Sequence, residues 1–235
     1  MRIHDCECNV TVCGEGNNVV LLHGWGQSSQ RMAFIQEALK DNYCVVNLDL
    51  AGFGKSAEPN YPWRIEDYSD ALHELLTVLK MEKPIIIGHS FGARIALYYA
   101  YKYPCQGLIL TGAAGIRQPR TINYYLKVYA YKLLKHFKQG KKMGSLDYQN
   151  ASPMMKKVLV QCVNEDLSEI LPYITTNTLL IWGKQDEVTP CWMGKKKEQL
   201  LPNAYFIPIK GGHFAYYRNE HFIKIIQAYL KEAYM

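Results

Sequence analysis

Short runs of consecutive apolar residues alternate along this chain with stretches in which apolar positions recur every three or four residues. The runs are Val19-Val20-Leu21-Leu22, Tyr43–Leu48, Pro84–His89, Gly107–Thr111, Asn177–Trp182 and Ala204–Pro208. Each has strand length and reads as a strand buried on both faces. The periodic stretches predict helices. One runs from a cap at Ser28 to about Lys40, and a second from about Ile65 to Lys80 with Tyr68, Leu72, Leu75, Leu76 and Leu79 on one side. Ser90–Tyr103, stopped by Pro104, and about Glu220–Ala233 are two more. Residues 7–13 alternate weakly, like an edge strand. Strands alternating with helices predict an α/β fold with a mainly parallel sheet, whose ligand chemistry gathers at the carboxyl ends of the strands.

Residues 116–175 break this alternation. Thr121–Gln139 predicts a helix with Leu126, Ala130, Leu133, Leu134 and Phe137 towards one side and lysines 127, 135, 138 and 142 towards another. Ser152-Pro153 starts a second helix, with proline where its missing N–H costs nothing. Asp166–Leu171 predicts a third, short one. A helical insertion between two strands has the position of a lid, which divides the chain into a core of residues 1–115 and 176–235 and a cap of residues 116–175.

Composition changes the picture in two places. The net charge of +6 lies entirely in the insertion, which holds 10 Lys/Arg against 4 Asp/Glu, and Arg117 to Lys142 carries 8 basic residues and no acid. One basic segment on an otherwise balanced chain does not describe a nucleic-acid binder. The cysteines at 6, 8, 13, 44, 105, 162 and 191 are odd in number, scattered and without C-x-x-C spacing, which argues against a zinc site or a disulfide framework and for a reducing, cytoplasmic compartment. The first residues show no apolar signal-peptide core, and no run approaches a membrane span.

The chemistry centres on Gly88-His89-Ser90-Phe91-Gly92, where an apolar strand stops and a helix begins at once. A serine between glycines at such a corner is lifted towards solvent. The glycines keep side chains away from the crossing strand and helix, or accept strained dihedrals. A serine hydroxyl needs a base, a group that orients the base, and donors for the oxyanion. The base expected is His213, between the last strand and the last helix. His23 and His89 lie beside the oxyanion and nucleophile positions, and the other histidines fall on predicted helices or at the terminus. The acid expected is Asp186, in the loop after a strand, with Glu187 as neighbouring competitor; Asp49 reads as a structural turn residue. The oxyanion donors expected are the backbone N–H groups of Phe91, at the positive end of its helix, and of Trp25 in His23-Gly24-Trp25-Gly26.

The order Ser90, Asp186, His213 and five ordered motifs make the chain resemble the α/β-hydrolase superfamily over nearly its full length. The motifs are His23 to Gly26, Asp49 to Ser56, Gly88 to Gly92, Gly183 to Pro190 and Gly211 to Phe214. The resemblance implies a sheet of about eight strands flanked by helices, with residues 116–175 as a helical cap inserted after the sixth strand. It also implies the catalytic triad Ser90, Asp186 and His213. The stretch before the first Gly-rich loop is short, so abbreviated leading strands are expected. Serine as nucleophile separates the chain from the epoxide-hydrolase and haloalkane-dehalogenase branches. Within the serine branch it resembles small cytosolic carboxylesterases with a helical lid, including the carrier-protein methyl esterase of biotin synthesis.

These readings predict a serine hydrolase acting on a small to medium acyl or aryl ester through an acyl-enzyme, with no need of metal or organic cofactor. Thioester, amide or C–C cleavage would use the same constellation, as would a hydrolase-like protein that senses a ligand instead of turning it over. Candidates for contact with substrate are Trp25, Tyr125, Tyr129, Met154, Trp192 and Phe214. The insertion's tyrosines (124, 125, 129, 131, 148 and 173), with Leu126, Phe137 and Met155, either line a pocket or pack the insertion itself. Its basic face is solvated surface, a dock for an acidic partner such as an acyl carrier protein, or an attractor for anionic substrates or lipid headgroups.

Overall fold

The computed structural model describes residues 1–117 and 145–234. Seven strands form one sheet in the order β3-β5-β4-β6-β7-β8-β9. They are β3 (Val10–Cys13), β4 (Asn17–Leu22), β5 (Tyr43–Leu48), β6 (Ile85–His89), β7 (Gly107–Thr111), β8 (Thr178–Gly183) and β9 (Ala204–Ile209). Only β3 is antiparallel, pairing with β5; the other six run parallel. The sheet has seven strands where the resemblance implies about eight. Ahead of β3, β1 (Arg2–Ile3) and β2 (Cys6–Glu7) pair with each other as a separate two-stranded hairpin. The insertion therefore follows the fifth strand of this sheet, not the sixth.

The continuous apolar runs are explained by a core on each face. Val20, Leu22, Val46, Leu48, Ile86, Leu108, Leu110 and Leu180 point to one side, where α2 (Ile65–Val78) and α3 (Phe91–Lys102) cover them. Val19, Leu21, Val45, Ile85, Ile87, Ile109, Leu179 and Ile181 point to the other, under α1 (Ala33–Leu39) and the final helix, Glu220–Tyr234. Alternation with a period of two is present, but both faces are apolar, so it is invisible as a polar pattern. Chain order reverses between β4 and β6, which places the loops after these two strands side by side at the carboxyl edge.

Two predicted helices form differently. Ser28 caps no α-helix: Ser29–Arg31 is a 3₁₀ turn whose Ser29 N–H goes to Asp49 Oδ1 (2.6 Å), and α1 starts at Ala33. Asp166–Ile170 is not helical: Leu167 N–H goes to the Gly115 carbonyl (2.8 Å), and a 3₁₀ turn forms at Leu171–Tyr173. The helix at Ser152-Pro153 forms as predicted. It is α5 (Pro153–Asn164), with Ser152 Oγ accepting from Met155 N–H (3.1 Å), and it follows the one-turn α4 (Leu146–Asn150). The predicted Thr121–Gln139 helix lies outside the described residues.

The described part of the insertion is seated on the core. Met155 fills the space beside Gly52, Cys162 Sγ faces the Trp63 carbonyl, and Arg64 pairs with Glu165 (3.1 Å). Buried Arg94 donates to the Glu165 carbonyl (3.2 Å), and Arg117 donates to that of Asn164. No cysteine is disulfide-bonded. Among the described residues no helix is long and apolar enough to cross a membrane.

Candidate active site

The corner after β6 is strained at the serine, not at its glycines. Ser90 has φ 51° and ψ −103°, a conformation that costs a side-chain-bearing residue about 1–3 kcal/mol. Gly88 and Gly92 are absent from the left-handed region. They are needed for space: a Cβ on Gly88 would lie 2.7 Å from Ala93 Cα, and one on Gly92 would run into the Leu22 carbonyl. Ser90 N–H donates to the Thr111 carbonyl (3.0 Å), and the Ser90 carbonyl accepts from Arg94 N–H (3.2 Å) and Ala114 N–H (3.1 Å). The corner is thus tied to the end of β7 and to its own helix.

His213 arrives at this corner from the loop after β9. Its ring centroid is 4.7 Å from that of His89, and a Cβ on Gly112, next to Thr111, would lie 3.1 Å from His213 Nδ1. His213 Nδ1 is 2.8 Å from Asp186 Oδ2. Asp186 is 5 % exposed, and its other oxygen accepts the N–H groups of Val188 (2.9 Å) and Thr189 (2.8 Å). Burial alone would raise the Asp186 carboxyl, but the bonds from His213 and Thr189 outweigh it and hold the group below its usual range. Glu187 is exposed, and of the two acids it is Asp186 that meets His213.

Backbone contacts hold the acid and histidine loops together. Gln185 N–H donates to the Gly211 carbonyl (2.9 Å), Gly211 N–H returns a bond to Gln185 Oε1 (2.7 Å), and a Cβ on Gly183 would collide with the Gly212 carbonyl. Thr189 Oγ1 lies 2.9 Å from Asp186 Oδ2 and 3.0 Å from the Gly112 carbonyl, so its proton serves one at a time. Sequence reasoning missed Gln185 and Thr189. Thr189 had a legible signal, since a hydroxyl three residues after an acid in a turn can reach back to it.

The other histidines near Ser90 are struts. His23 Nε2 accepts Leu50 N–H (3.0 Å) while Nδ1–H donates to the Gly24 carbonyl (2.8 Å). Burial lowers its pKa to about 4, against the opposing pull of Gly24 and Asp49. His89 donates Nδ1–H to the Thr111 carbonyl (3.1 Å), and burial, then the charge of His213, push it well below its ordinary value. Asp49 is the turn residue the glycine pattern predicts, accepting from Ser29, Lys55 and Asn9.

Trp25 and Phe91 meet at the same edge. Their rings are edge-on at 5.1 Å, and Phe53 packs on Trp25 at 4.8 Å. Phe91 opens α3, so its N–H has no acceptor within the helix. Phe214 leans on His213 (5.2 Å) and is 46 % exposed. Of the remaining predicted contacts, Met154 is half-buried on α5, whereas its neighbour Met155 is the side chain pressed against Gly52. Trp192 is 43 % exposed on α6 (Cys191–Leu200), without a ring partner among the described residues. Tyr125 and Tyr129 lie outside the described residues. Among the described residues no three His, Cys, Asp or Glu side chains are grouped to hold a metal ion.

This architecture is that of a known family. The family model of the alpha/beta hydrolase fold matches residues 17–139, and the chain belongs to that family. The match includes Trp25, Ser90 and Phe91; Asp186 and His213 lie beyond it. An uncharacterized protein of Mycobacterium tuberculosis is 30 % identical over 126 residues, 53 % of this chain but 37 % of that protein, so the chain spans well under half the length of its mycobacterial relatives. The pimeloyl-[acyl-carrier protein] methyl ester esterase of Aliivibrio fischeri is 23 % identical, covering 93 % of this chain and 95 % of the other. Among solved structures, an esterase from Exiguobacterium antarcticum superposes with a TM-score of 0.79 at 24 % identity, over 96 % of both chains.

Proposed function

We propose that the protein is a serine hydrolase that cleaves carboxylic esters of small to medium acyl or aryl groups through an acyl-enzyme. The observation that carries this reading is the 2.8 Å Asp186–His213 contact, delivered beside the strained Ser90 corner. Asp186 engages Nδ1, which leaves His213 Nε2 to accept the serine proton. Ser90 Oγ then bonds the ester carbon, and the negative charge moves to the carbonyl oxygen, where the N–H groups of Phe91 and Trp25 stabilise it. The C–O bond breaks as the alcohol takes the proton from His213. Water, deprotonated by the same histidine, then releases the acid and restores Ser90. Residues 116–175 act as the cap over this site, and the seven free cysteines favour a reducing cytoplasm.

A panel of p-nitrophenyl esters of graded chain length, with Ser90→Ala as control, tests the reading. We expect turnover on short to medium chains and a loss of about 10⁴-fold or more in the variant. A wild-type rate no higher than that of Ser90→Ala on every ester and thioester would sink it. A second reading, an esterase acting on carrier-protein-bound esters, is favoured by the basic insertion and by the likeness to the Aliivibrio esterase. A ligand-sensing role would instead show as a stable partner complex that survives Ser90→Ala with negligible turnover.

A further inference from the structure

The insertion is basic, yet the part of it that reaches the site presents an acid. Asp147, on α4, lies across from the Gly24–Gly26 turn: a Cβ on Gly26 would stand 3.8 Å from Asp147 Oδ1. The same carboxyl is near enough to His213 for the two charges to interact. It therefore sits at the mouth, between the loop that bears Trp25 and the loop that bears the histidine. Asp147 is exposed, and the other acids of the insertion are paired or exposed as well. Glu165 pairs with Arg64, Asp166 accepts from Ser168 and Arg117, and Glu169 is exposed. Asp147 has no ion-pair partner among the described residues. Two cations among the described residues are turned to rings: Arg31 stacks over Phe214 (5.1 Å) and Tyr217 (4.1 Å), and Lys156 over Tyr148 (5.6 Å). Partial desolvation raises the pKa of this exposed carboxyl, opposed by His213.

We propose that Asp147 is a specificity residue that selects esters of amino alcohols, with a positively charged nitrogen in the alcohol half, and disfavours anionic alcohols. This rests on the hydrolase reading above, in which the departing alcohol takes its proton from His213. The alcohol half therefore lies on the histidine's side, within reach of the same carboxylate. A quaternary or protonated nitrogen there meets the carboxylate together with half-buried Trp25 and exposed Phe214, a pairing of charge and aromatic surface suited to a bulky cation. The charge acts at the rim, so it alters KM more than kcat and weakens with salt.

The test compares three acetate esters of matched size, whose alcohol ends in trimethylammonium, in tert-butyl or in carboxylate, on wild type and Asp147→Asn. The cationic-to-neutral ratio of kcat/KM should fall about tenfold in the variant, through KM, and the neutral ester should change less than about twofold. In parallel, calorimetry with Ser90→Ala protein measures binding of the trimethylammonium alcohol and its tert-butyl isostere, with and without Asp147→Asn. An unchanged cationic-to-neutral ratio in both experiments overturns the inference and leaves the hydrolase reading standing if the neutral ester is cleaved. Selective binding of the cation that Asp147→Asn abolishes, without turnover of any ester, upholds the Asp147 site and overturns the hydrolase reading instead. Absence of cation-selective binding together with absence of turnover overturns both.

Discussion

Lys197 shows how far one side chain can depart from its type. It is 0 % exposed, its Nζ donates to the Ala113 carbonyl (3.0 Å) and stands 5.6 Å from the Trp182 ring centre. Burial, then the charge of Arg94, lower its pKa to about 7, with Asp166 pulling the other way. An unfolded lysine titrates near ~10.4. From about pH 7 upward the unfolded chain therefore binds more protons at this position than the folded one, and the free energy of unfolding rises with pH through that window. Below it both states are protonated and the cost of enclosing the ammonium is present in full. Buried thiols act in the opposite sense: burial raises Cys105 and Cys162 to about 12, so their contribution is lost as pH climbs above the ordinary thiol value of ~8.5. The lysine is thus read most cleanly between these two values. Lys197→Met should gain on wild type at pH 6, and that gain should shrink by about 1–2 kcal/mol by pH 8.5. Urea unfolding at the two pH values measures it, and a constant difference would refute the assignment.

At the level of elements, the site depends on how closely two loops pack. The turns after β8 and β9 touch at Gly183 and the Gly212 carbonyl, with no room for a Cβ. Gly183→Ala should cost about 2–4 kcal/mol and should also lower the activity of the folded fraction, because parting the loops stretches the Asp186–His213 contact. Gly14→Ala is the control. Gly14 has φ 79° and lies against the Lys40 and Tyr43 carbonyls, beside the start of β5 and away from the carboxyl edge. Its loss of stability should leave the activity per folded molecule intact. The parallel strands were legible to within two residues, since the apolar runs are continuous, whereas the weakly alternating stretch 7–13 yields a strand only over Val10–Cys13. The 3₁₀ turn at Ser29–Arg31 and the non-helical Asp166–Ile170 were not legible. In both, an N–H is tied to a residue distant in sequence, Asp49 or Gly115, a contact that no local pattern records.

Across the whole molecule, charge is segregated: a neutral core bears an insertion that carries the entire excess of +6. Lys135 and Lys138, in the part of the insertion outside the described residues, test whether that excess meets an acidic partner. Reversing both to glutamate should raise KM for a carrier-bound ester by about tenfold and leave small esters unchanged, since long-range charge acts on the encounter with a charged partner more than on chemistry. Equal effects on both substrates would exclude a docking role. Asp147 departs from that excess in sign, a carboxylate of the basic insertion set beside the Gly26 turn.

The chain's own pattern determined the α/β class, the Ser90 corner and the candidate acid and base, because each depends on local features: run length, turn glycines and position after a strand. Tertiary structure decided the rest. It put Asp186 and not Glu187 on His213, since which of two adjacent acids turns inward depends on loop packing across 27 residues of chain. It assigned the backbone strain to Ser90 and gave its glycines the task of close approach, and it set Met155, not Met154, against the core. It also brought Asp147 to the Gly26 turn, a contact between residues far apart in sequence that no local pattern records.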